Sequence, residues 1–130
     1  MATALPIIHV PDLPDKGLLV RVDGIPVLIA VKEGLEERAE RCVVAHELRH
    51  AEDSFSTEDL PPLMQRRNET RVDRDAAASL LSPAALREWL ADRARSDEPI
   101  TVHEIALEFG VTSRYVELVL AIAGHPSGRR

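Results

Sequence analysis

Short apolar runs alternate with turn residues over the first 34 positions of the chain. Two of these runs, Leu18–Val22 and Ile25–Val31, are separated by Asp23-Gly24, a dipeptide that favours a two-residue hairpin turn. The prolines that flank residues 7–10 exclude a helix interior there and predict a short extended segment or arm. Pro26 is tolerated only at the beginning of a strand or at a sheet edge. The pattern therefore predicts a small N-terminal β-hairpin, with Val27–Val31 as the candidate edge strand.

The positions after Gly34 follow helical spacing and are bounded by capping and helix-breaking residues. Glu36, Glu37 and Glu40 place negative charge in the early turns of the first helix, where the helix dipole favours it. Prolines at first helical positions and a T-x-x-E capping box mark later helix starts. The predicted helices run from about Leu35 to Asp53, from Pro62 or Leu63 to Leu81, from Ser82-Pro83 to about Arg93, from Thr101 to Gly110 and from Thr112 to about Ile122, and the tail Gly124–Arg130 is expected to fray.

These elements predict a mainly helical α+β fold in one domain, since 130 residues suffice for a single hydrophobic core. Residues 1–34 would form the arm and hairpin, residues 35–82 the helices of a candidate site, and residues 83–130 the C-terminal helices. Trp89, the only tryptophan, is predicted to lie in the core.

The first predicted helix carries the pattern H-E-x-x-H at His46, Glu47 and His50. Residues four apart on a helix project from one face, so both imidazoles can bind one metal ion. Glu47 follows the first histidine directly and can act as a general base without binding the ion. The alternative is a solvated or core-satisfied histidine pair. The apolar run 42–45 before His46 favours the metal site, because polar groups placed on a buried face need partners.

Hydrolytic zinc usually has three protein ligands and one open position, so a third ligand is expected from elsewhere in the chain. Glu69 and Asp73 lie four residues apart on the second predicted helix. The first could bind the metal, and the second could accept the free ring N–H of a ligating histidine. Asp73 and Asp75 are the fallback ligands if the helix is turned differently. Without the histidine motif, these carboxylates would be ordinary surface groups beside the arginines at positions 66, 71 and 74.

In these residues the chain resembles the ImmA/IrrE family of metallopeptidases. The matching stretches are Ala45-His46-Glu47-Leu48-x-His50 and Glu69-x-x-x-Asp73-x-x-Ala76-Ala77, followed by Leu80-Leu81, within about residues 18–82. Two departures are Arg49, where many relatives have a small residue, and Ser54, where many have another histidine. The first would place bulk and positive charge near the mouth of the cleft.

The resemblance implies a zincin-like helical core and a zinc metalloendopeptidase in which His46, His50 and Glu69 bind Zn²⁺, Glu47 is catalytic and Asp73 orients a ligating histidine. It also implies an intracellular enzyme that cuts a repressor-type regulatory protein, in a phage, a mobile element or a stress response. The hairpin could pair with an extended substrate along Val27–Val31, or it could merely cover the active helix.

Composition narrows the partners and the compartment. The formal net charge of −6 disfavours general nucleic-acid binding. Cys42 is the only cysteine, so no internal disulfide can form, which suits a reducing cytoplasm. It lies one turn before His46 and could approach the metal, but a small buried apolar role is favoured. No signal peptide or membrane-spanning stretch is predicted.

The last two predicted helices, joined by a Gly-Val-Thr turn, have the outline of a helix-turn-helix. Thr112, Ser113, Arg114 and Glu117 would then face the DNA groove, but one arginine beside a glutamate supplies little positive charge for phosphates. Packing on the site helices or binding a partner is the favoured role. This leaves a rival function, a non-catalytic module that binds a repressor or DNA. His103 and Tyr115 are remote candidates for transition-state stabilisation, with capping-region and surface roles as the alternative.

Overall fold

The structure, a computed structural model, describes residues 4–124 as three β-strands and five α-helices. The strands are β1 (Ile7–Val10), β2 (Gly17–Val22) and β3 (Ile25–Lys32). The helices are α1 (Glu37–Ala51), α2 (Pro62–Leu80), α3 (Pro83–Arg93), α4 (Val102–Phe109) and α5 (Ser113–Gly124), with a short 3-10 turn at Thr57–Asp59 before α2. The predicted α+β, mainly helical fold class is confirmed, and the tail beyond residue 124 lies outside the described residues.

The hairpin predicted at Asp23-Gly24 is present. β2 and β3 pair antiparallel, and both turn residues have positive φ, 53° at Asp23 and 79° at Gly24. Positive φ at both central positions is typical of the turn whose twist matches the two strands it joins. The extended segment before it is β1, which pairs in parallel with β3 from Ile7 opposite Ile29 to Val10 opposite Lys32.

The prediction that Val27–Val31 is an edge strand is wrong. The strand order is β1-β3-β2, so β3 is the central strand and β2 is an edge strand. Pro26 is accommodated because it lies near the start of β3, beyond the part paired with β1, and opposite an irregularity between Val20 and Arg21. Proline has no backbone N–H to donate, but at this position β3 has no second strand beside it that would accept one.

α1 packs between the sheet and α2. His9 of β1 lies 3.0 Å from Glu40, which ties the sheet to the first turns of the helix. α1 starts at Glu37, two residues later than predicted, because Glu36 is the N-cap and its carboxylate accepts from the backbone N–H of Arg38. His46 faces Asp73 and His50 faces Glu69, so α1 and α2 run antiparallel.

The hydrophobic core lies among the five helices. The side chains that form it are mostly small or branched: Cys42, Ala45, Ala76, Ala77, Leu81, Leu86, Ile105, Ala106, Val111, Tyr115, Val116 and Val119. Trp89 is partly buried and packs against this core, with its ring 6.0 Å from that of Phe109. The core thus fixes α2 and α5 against α1, which carries the candidate site.

The turn between α4 and α5 follows the predicted capping residues. The Thr101 side chain accepts from the N–H of Glu104, and Gly110 ends α4 in the left-handed conformation with φ of 68°. The Thr112 hydroxyl then accepts from the N–H of Tyr115 in the first turn of α5.

Among residues 4–124, no helix combines the length and the apolar character needed to cross a membrane.

Candidate metal centre

Three side chains from two helices converge at one point. His46 and His50 come from α1, and Glu69 comes from the facing side of α2. The Nε2 atoms of the two histidines are 3.2 Å apart, and the Glu69 carboxylate oxygens lie 3.2 Å from His46 Nε2 and 3.0 Å from His50 Nε2. This group could hold a metal ion. The carboxylate expected from the sequence as the third ligand is therefore the one that the structure brings to both imidazoles.

The spacing of these atoms fits a tetrahedral ion. Zinc with nitrogen and oxygen ligands at their usual bond lengths separates neighbouring ligand atoms by about 3.3 Å. The two imidazole nitrogens, 3.2 Å apart, are close to that value, and each of them faces a different oxygen of the Glu69 carboxylate at 3.0 to 3.2 Å. Two imidazole nitrogens facing each other at this distance also need a shared cation or proton between them. Imidazole and carboxylate ligands suit zinc and several other divalent first-row metals.

His46 is oriented by Asp73. Burial raises the pKa of Asp73, but hydrogen bonds with His46 and Arg114 outweigh this and lower it, so the group is an ionised acceptor. His46 Nδ1 must then donate to the Asp73 Oδ1 atom over 2.8 Å, which leaves Nε2 with a free lone pair toward Glu69. Burial lowers the pKa of His46, yet this hydrogen bond and the nearby carboxylates raise it overall.

His50 has a different, uncharged support that the sequence did not reveal. Its Nδ1 lies 3.5 Å from the Thr57 hydroxyl, which in turn accepts from the Asn68 amide over 2.8 Å. Asn68 is the one buried polar residue of the described chain, and its carbonyl oxygen accepts from Arg71. Burial lowers the pKa of His50 and outweighs the charge of Glu69. Neither Thr57 nor Asn68 belongs to a recognisable motif, so only the fold identifies them.

Glu47 lies beside the three ligand atoms without belonging to the group. Burial raises the pKa of Glu47, and the charge of Glu69 adds to this, while His46 and the backbone of Leu19 oppose it. β2 approaches this carboxylate closely at Gly17, where a Cβ atom would lie 3.3 Å from both Cγ and Oε2 of Glu47 and would overlap Val43. Gly17 is thus a third residue, after Thr57 and Asn68, that the sequence analysis missed. Its lack of a side chain lets the strand pass over the helix.

A cleft of about 110 Å³ opens between β2 and the site. Its walls include Leu18, Leu19 and Arg21 of the strand, with Glu47, His50 and Glu69 on the opposite side. The Arg21 guanidinium donates to the carbonyl oxygens of His50, Asp53 and Phe55, so it closes the C-terminal end of α1. The cleft therefore gives direct access to the side chains of the candidate centre.

The remaining acidic and basic candidates lie elsewhere. Asp75, a fallback ligand, pairs with Arg49 over 3.0 Å and with Arg71, one turn earlier on α2, over 3.8 Å, and it does not belong to the group that could hold a metal ion. Arg49 also pairs with Asp53 over 3.2 Å. Much of the positive charge that Arg49 was expected to bring near the cleft mouth is therefore compensated by these carboxylates.

The structure also gives the surroundings of the two remote candidates for transition-state stabilisation, His103 and Tyr115. His103 is exposed and lies near Glu36, whose pKa is lowered by its hydrogen bonds with Arg38 and, in addition, by the charge of His103. Glu36 itself lies about 16 Å from Glu47 along α1, at 1.5 Å per residue. The buried Tyr115 hydroxyl donates to the carbonyl oxygen of Cys42, and burial raises its pKa. Cys42 itself is buried in the core cluster, as the apolar interpretation predicted.

Comparison with models of protein families, with characterised proteins and with solved structures gave no match. The resemblance to the ImmA/IrrE family consequently stays a prediction that rests on the quoted residues. The geometry of the candidate metal centre is independent of that resemblance.

Proposed function

We propose that the protein is a zinc-dependent metallopeptidase. The observation that carries the proposal is the convergence of His46, His50 and Glu69 with a partly buried carboxylate outside that group, Glu47, directly beside them. A bound zinc ion would lower the pKa of water and polarise a carbonyl group. Asp73 would hold His46 in the tautomer that leaves Nε2 free.

Glu47 has the position and the environment of a general base. It would take the proton of the attacking water as a carboxylate and then donate that proton to the leaving amine. A raised pKa supports both steps, because the carboxylate is a stronger base and the transferred proton stays available at neutral pH.

The substrate would bind along β2. In the described part of the chain β2 pairs with β3 on one side only, and its residues Leu18 and Leu19 line the cleft. An extended peptide can add to such an edge through main-chain hydrogen bonds. This replaces the sequence-based expectation for β3, which is paired on both sides.

The family resemblance supports further proposals about the fold and the substrate. We infer a zincin-like arrangement of α1 and α2, and a helix-turn-helix-like pair in α4 and α5. The substrate class that the resemblance implies is a repressor-type regulatory protein in the cytoplasm. The ion pair between Arg114 and Asp73 supports packing of α5 on the site rather than DNA binding, since it uses part of the charge that a phosphate would require.

The test compares wild-type protein with Glu47→Gln. Both should hold about one zinc per chain in metal analysis, because Glu47 is not a ligand. Wild type should fragment a repressor encoded by a neighbouring gene on co-expression, with the cut identified by mass spectrometry, and Glu47→Gln should not. Glu117→Gln, an exposed change on α5, is the matched control and should cut normally. Undiminished function of Glu47→Gln would instead favour the non-catalytic binding module.

A further inference from the structure

A second cavity, of about 240 Å³, opens beside His46 and adjoins the other end of β2. α1 contributes Ala39, Cys42 and Val43 to its wall, and α5 contributes Tyr115. Lys16, at its rim, directly precedes β2, whose residues Leu18 and Leu19 line the cleft described above. The two cavities therefore lie along one strand edge, and about 10 Å separates Lys16 from Leu19 at the rise of a β-strand.

The polar groups in the wall of this cavity are bonded to one another. The Tyr115 hydroxyl donates to the Cys42 carbonyl oxygen, and the Thr112 N–H donates to the Cys42 sulfur over 3.5 Å. The Thr112 hydroxyl accepts from the N–H of Tyr115. A water molecule needs two to four polar partners to be stable in a cavity. Since these partners are already engaged, an apolar group suits the interior better than water.

The rim of the cavity carries positive charge. Lys16 is exposed, and Arg114, which is paired with Asp73, still exposes 66% of its side chain. The Asp73 carboxylate also lines the cavity, but it already accepts from His46 and Arg114. A lysine or arginine side chain entering the cavity would therefore meet Lys16 and Arg114 without an acidic partner of its own. Like-charge contacts of this kind exclude wrong partners. An uncharged side chain avoids that cost.

We infer that this cavity is the side-chain pocket that selects the substrate, and that it accepts an apolar residue of about leucine to phenylalanine size next to the cleaved bond. The inference rests on the proposed peptidase function. It also gives α5 a role, because Thr112, Arg114 and Tyr115 form the wall that α1 alone cannot supply. The C-terminal helices would thus set specificity for a peptide rather than contact DNA.

Zinc-loaded full-length protein, incubated with a peptide library made by digesting a total cell extract with a glutamyl endopeptidase, which leaves Lys and Arg inside the peptides, tests this inference. Mass spectrometry of the new termini gives the residues on each side of every cut. One flanking position should be enriched in Leu, Met and Phe and depleted in Lys and Arg. Synthetic peptides that differ only at that position, Phe against Ala, then give the ratio of kcat/KM.

Ala39→Leu should fill the pocket and lower the Phe-to-Ala ratio by about tenfold or more, the scale on which hydrophobic pockets discriminate by size. Ala91→Leu makes the same change on the exposed surface of α3 and should leave the ratio unchanged. Val43→Ala enlarges the pocket and should shift the preference toward larger side chains. Unfolding curves and zinc content of each variant show whether the fold and the metal site are retained.

The outcomes separate the two proposals. The pocket is overturned, and the peptidase function stands, if the protein cuts peptides without enrichment at either flanking position. The same conclusion follows if Ala39→Leu and Val43→Ala both fold and both leave the Phe-to-Ala ratio unchanged. Wild type that cuts no library peptide and no candidate repressor overturns both. A ratio that falls in Ala39→Leu and rises in Val43→Ala, with Ala91→Leu unchanged, supports the pocket.

Discussion

Asp73 accepts a hydrogen bond from His46 Nδ1 over 2.8 Å while its other carboxylate oxygen accepts from Arg114 over 2.6 Å. One side chain of α2 thereby connects a candidate metal ligand on α1 with the first turn of α5. The arginine keeps the carboxylate ionised, and the carboxylate in turn fixes the imidazole tautomer. The orientation of His46 therefore depends on the packing of three helices.

Asp73→Asn should weaken zinc binding by about 10- to 100-fold, the usual effect of removing the partner of a ligating histidine. The amide keeps the shape of the side chain but lacks the negative charge that makes the imidazole of His46 a stronger metal ligand. Competition with a chromophoric chelator measures the affinity. Asp75→Asn, two residues further on the same helix and directed at Arg49, is the control and should bind zinc like wild type. Equal affinities for Asp73→Asn and wild type would show that Asp73 has no part in the site.

Thr57→Val should weaken metal binding less than Asp73→Asn, because a neutral hydroxyl supports His50 where a carboxylate supports His46. Valine keeps the shape of the side chain and removes only the acceptor. Cobalt titration followed by absorbance reports both affinity and coordination geometry. Thr57→Ser keeps the hydroxyl and should give the wild-type spectrum. If the threonine methyl group had a purely steric role, Thr57→Ser would instead change the spectrum as Thr57→Val does.

The elements that local patterns determine were predicted well. The Thr101 cap, the end of α4 at Gly110 and the Asp23-Gly24 turn each depend on residues within a few positions of one another. Glu69, which the structure places beside both imidazoles, was proposed as a ligand from the need for a third one, together with its helical spacing to Asp73. In each case, a short stretch of sequence carries the physical cause.

Features that depend on distant residues were missed or predicted wrongly. β3 was assigned to an edge because the sequence does not show that β1 pairs with it in parallel. Thr57, Asn68 and Gly17 carry no motif, and their importance comes from side chains that the fold brings next to them. The ion pairs of Arg49 with Glu52, Asp53 and Asp75 were likewise not foreseen.

Gly17→Ala should destabilise the protein and lower its proposed activity. The new methyl group would overlap Val43 and press on Glu47, so β2 must move away from α1. Such overpacking costs about 1–3 kcal/mol in the free energy of unfolding, measured by urea titration. Gly124→Ala adds the same group where nothing lies within 4 Å, and it should not destabilise the fold. Wild-type stability and activity of Gly17→Ala would show that the strand is not held against the helix there.

Zinc should stabilise the folded protein against heat, and a chelator should reverse this. A ligand at 100 times its dissociation constant adds about 2.7 kcal/mol to the free energy of unfolding when it binds only the folded state. Glu47→Gln should respond to zinc like wild type, whereas Glu69→Gln should respond much less, because only Glu69 belongs to the ligand group. Differential scanning fluorimetry at several zinc concentrations gives the comparison. An equal response of Glu69→Gln would remove Glu69 from the site.

Asp53 should make the fold sensitive to acid. Its side chain is 11% exposed; burial raises its pKa, but hydrogen bonds with Arg71 and Arg49 outweigh this and lower the pKa. Because the folded pKa is below the unfolded value of about 3.9, the stabilisation is complete above pH 5 and is lost as pH falls through the folded pKa. Asp53→Asn should therefore lower the free energy of unfolding by about 1–3 kcal/mol at pH 7, the value of hydrogen bonds to charged groups, and this difference should shrink below pH 4. Urea unfolding of both proteins in chelator at pH 7, 5, 4 and 3 measures it without a contribution from bound metal. A difference that stays constant from pH 7 to pH 3 would mean that the carboxylate charge of Asp53 does not contribute, and that its role is one of shape alone.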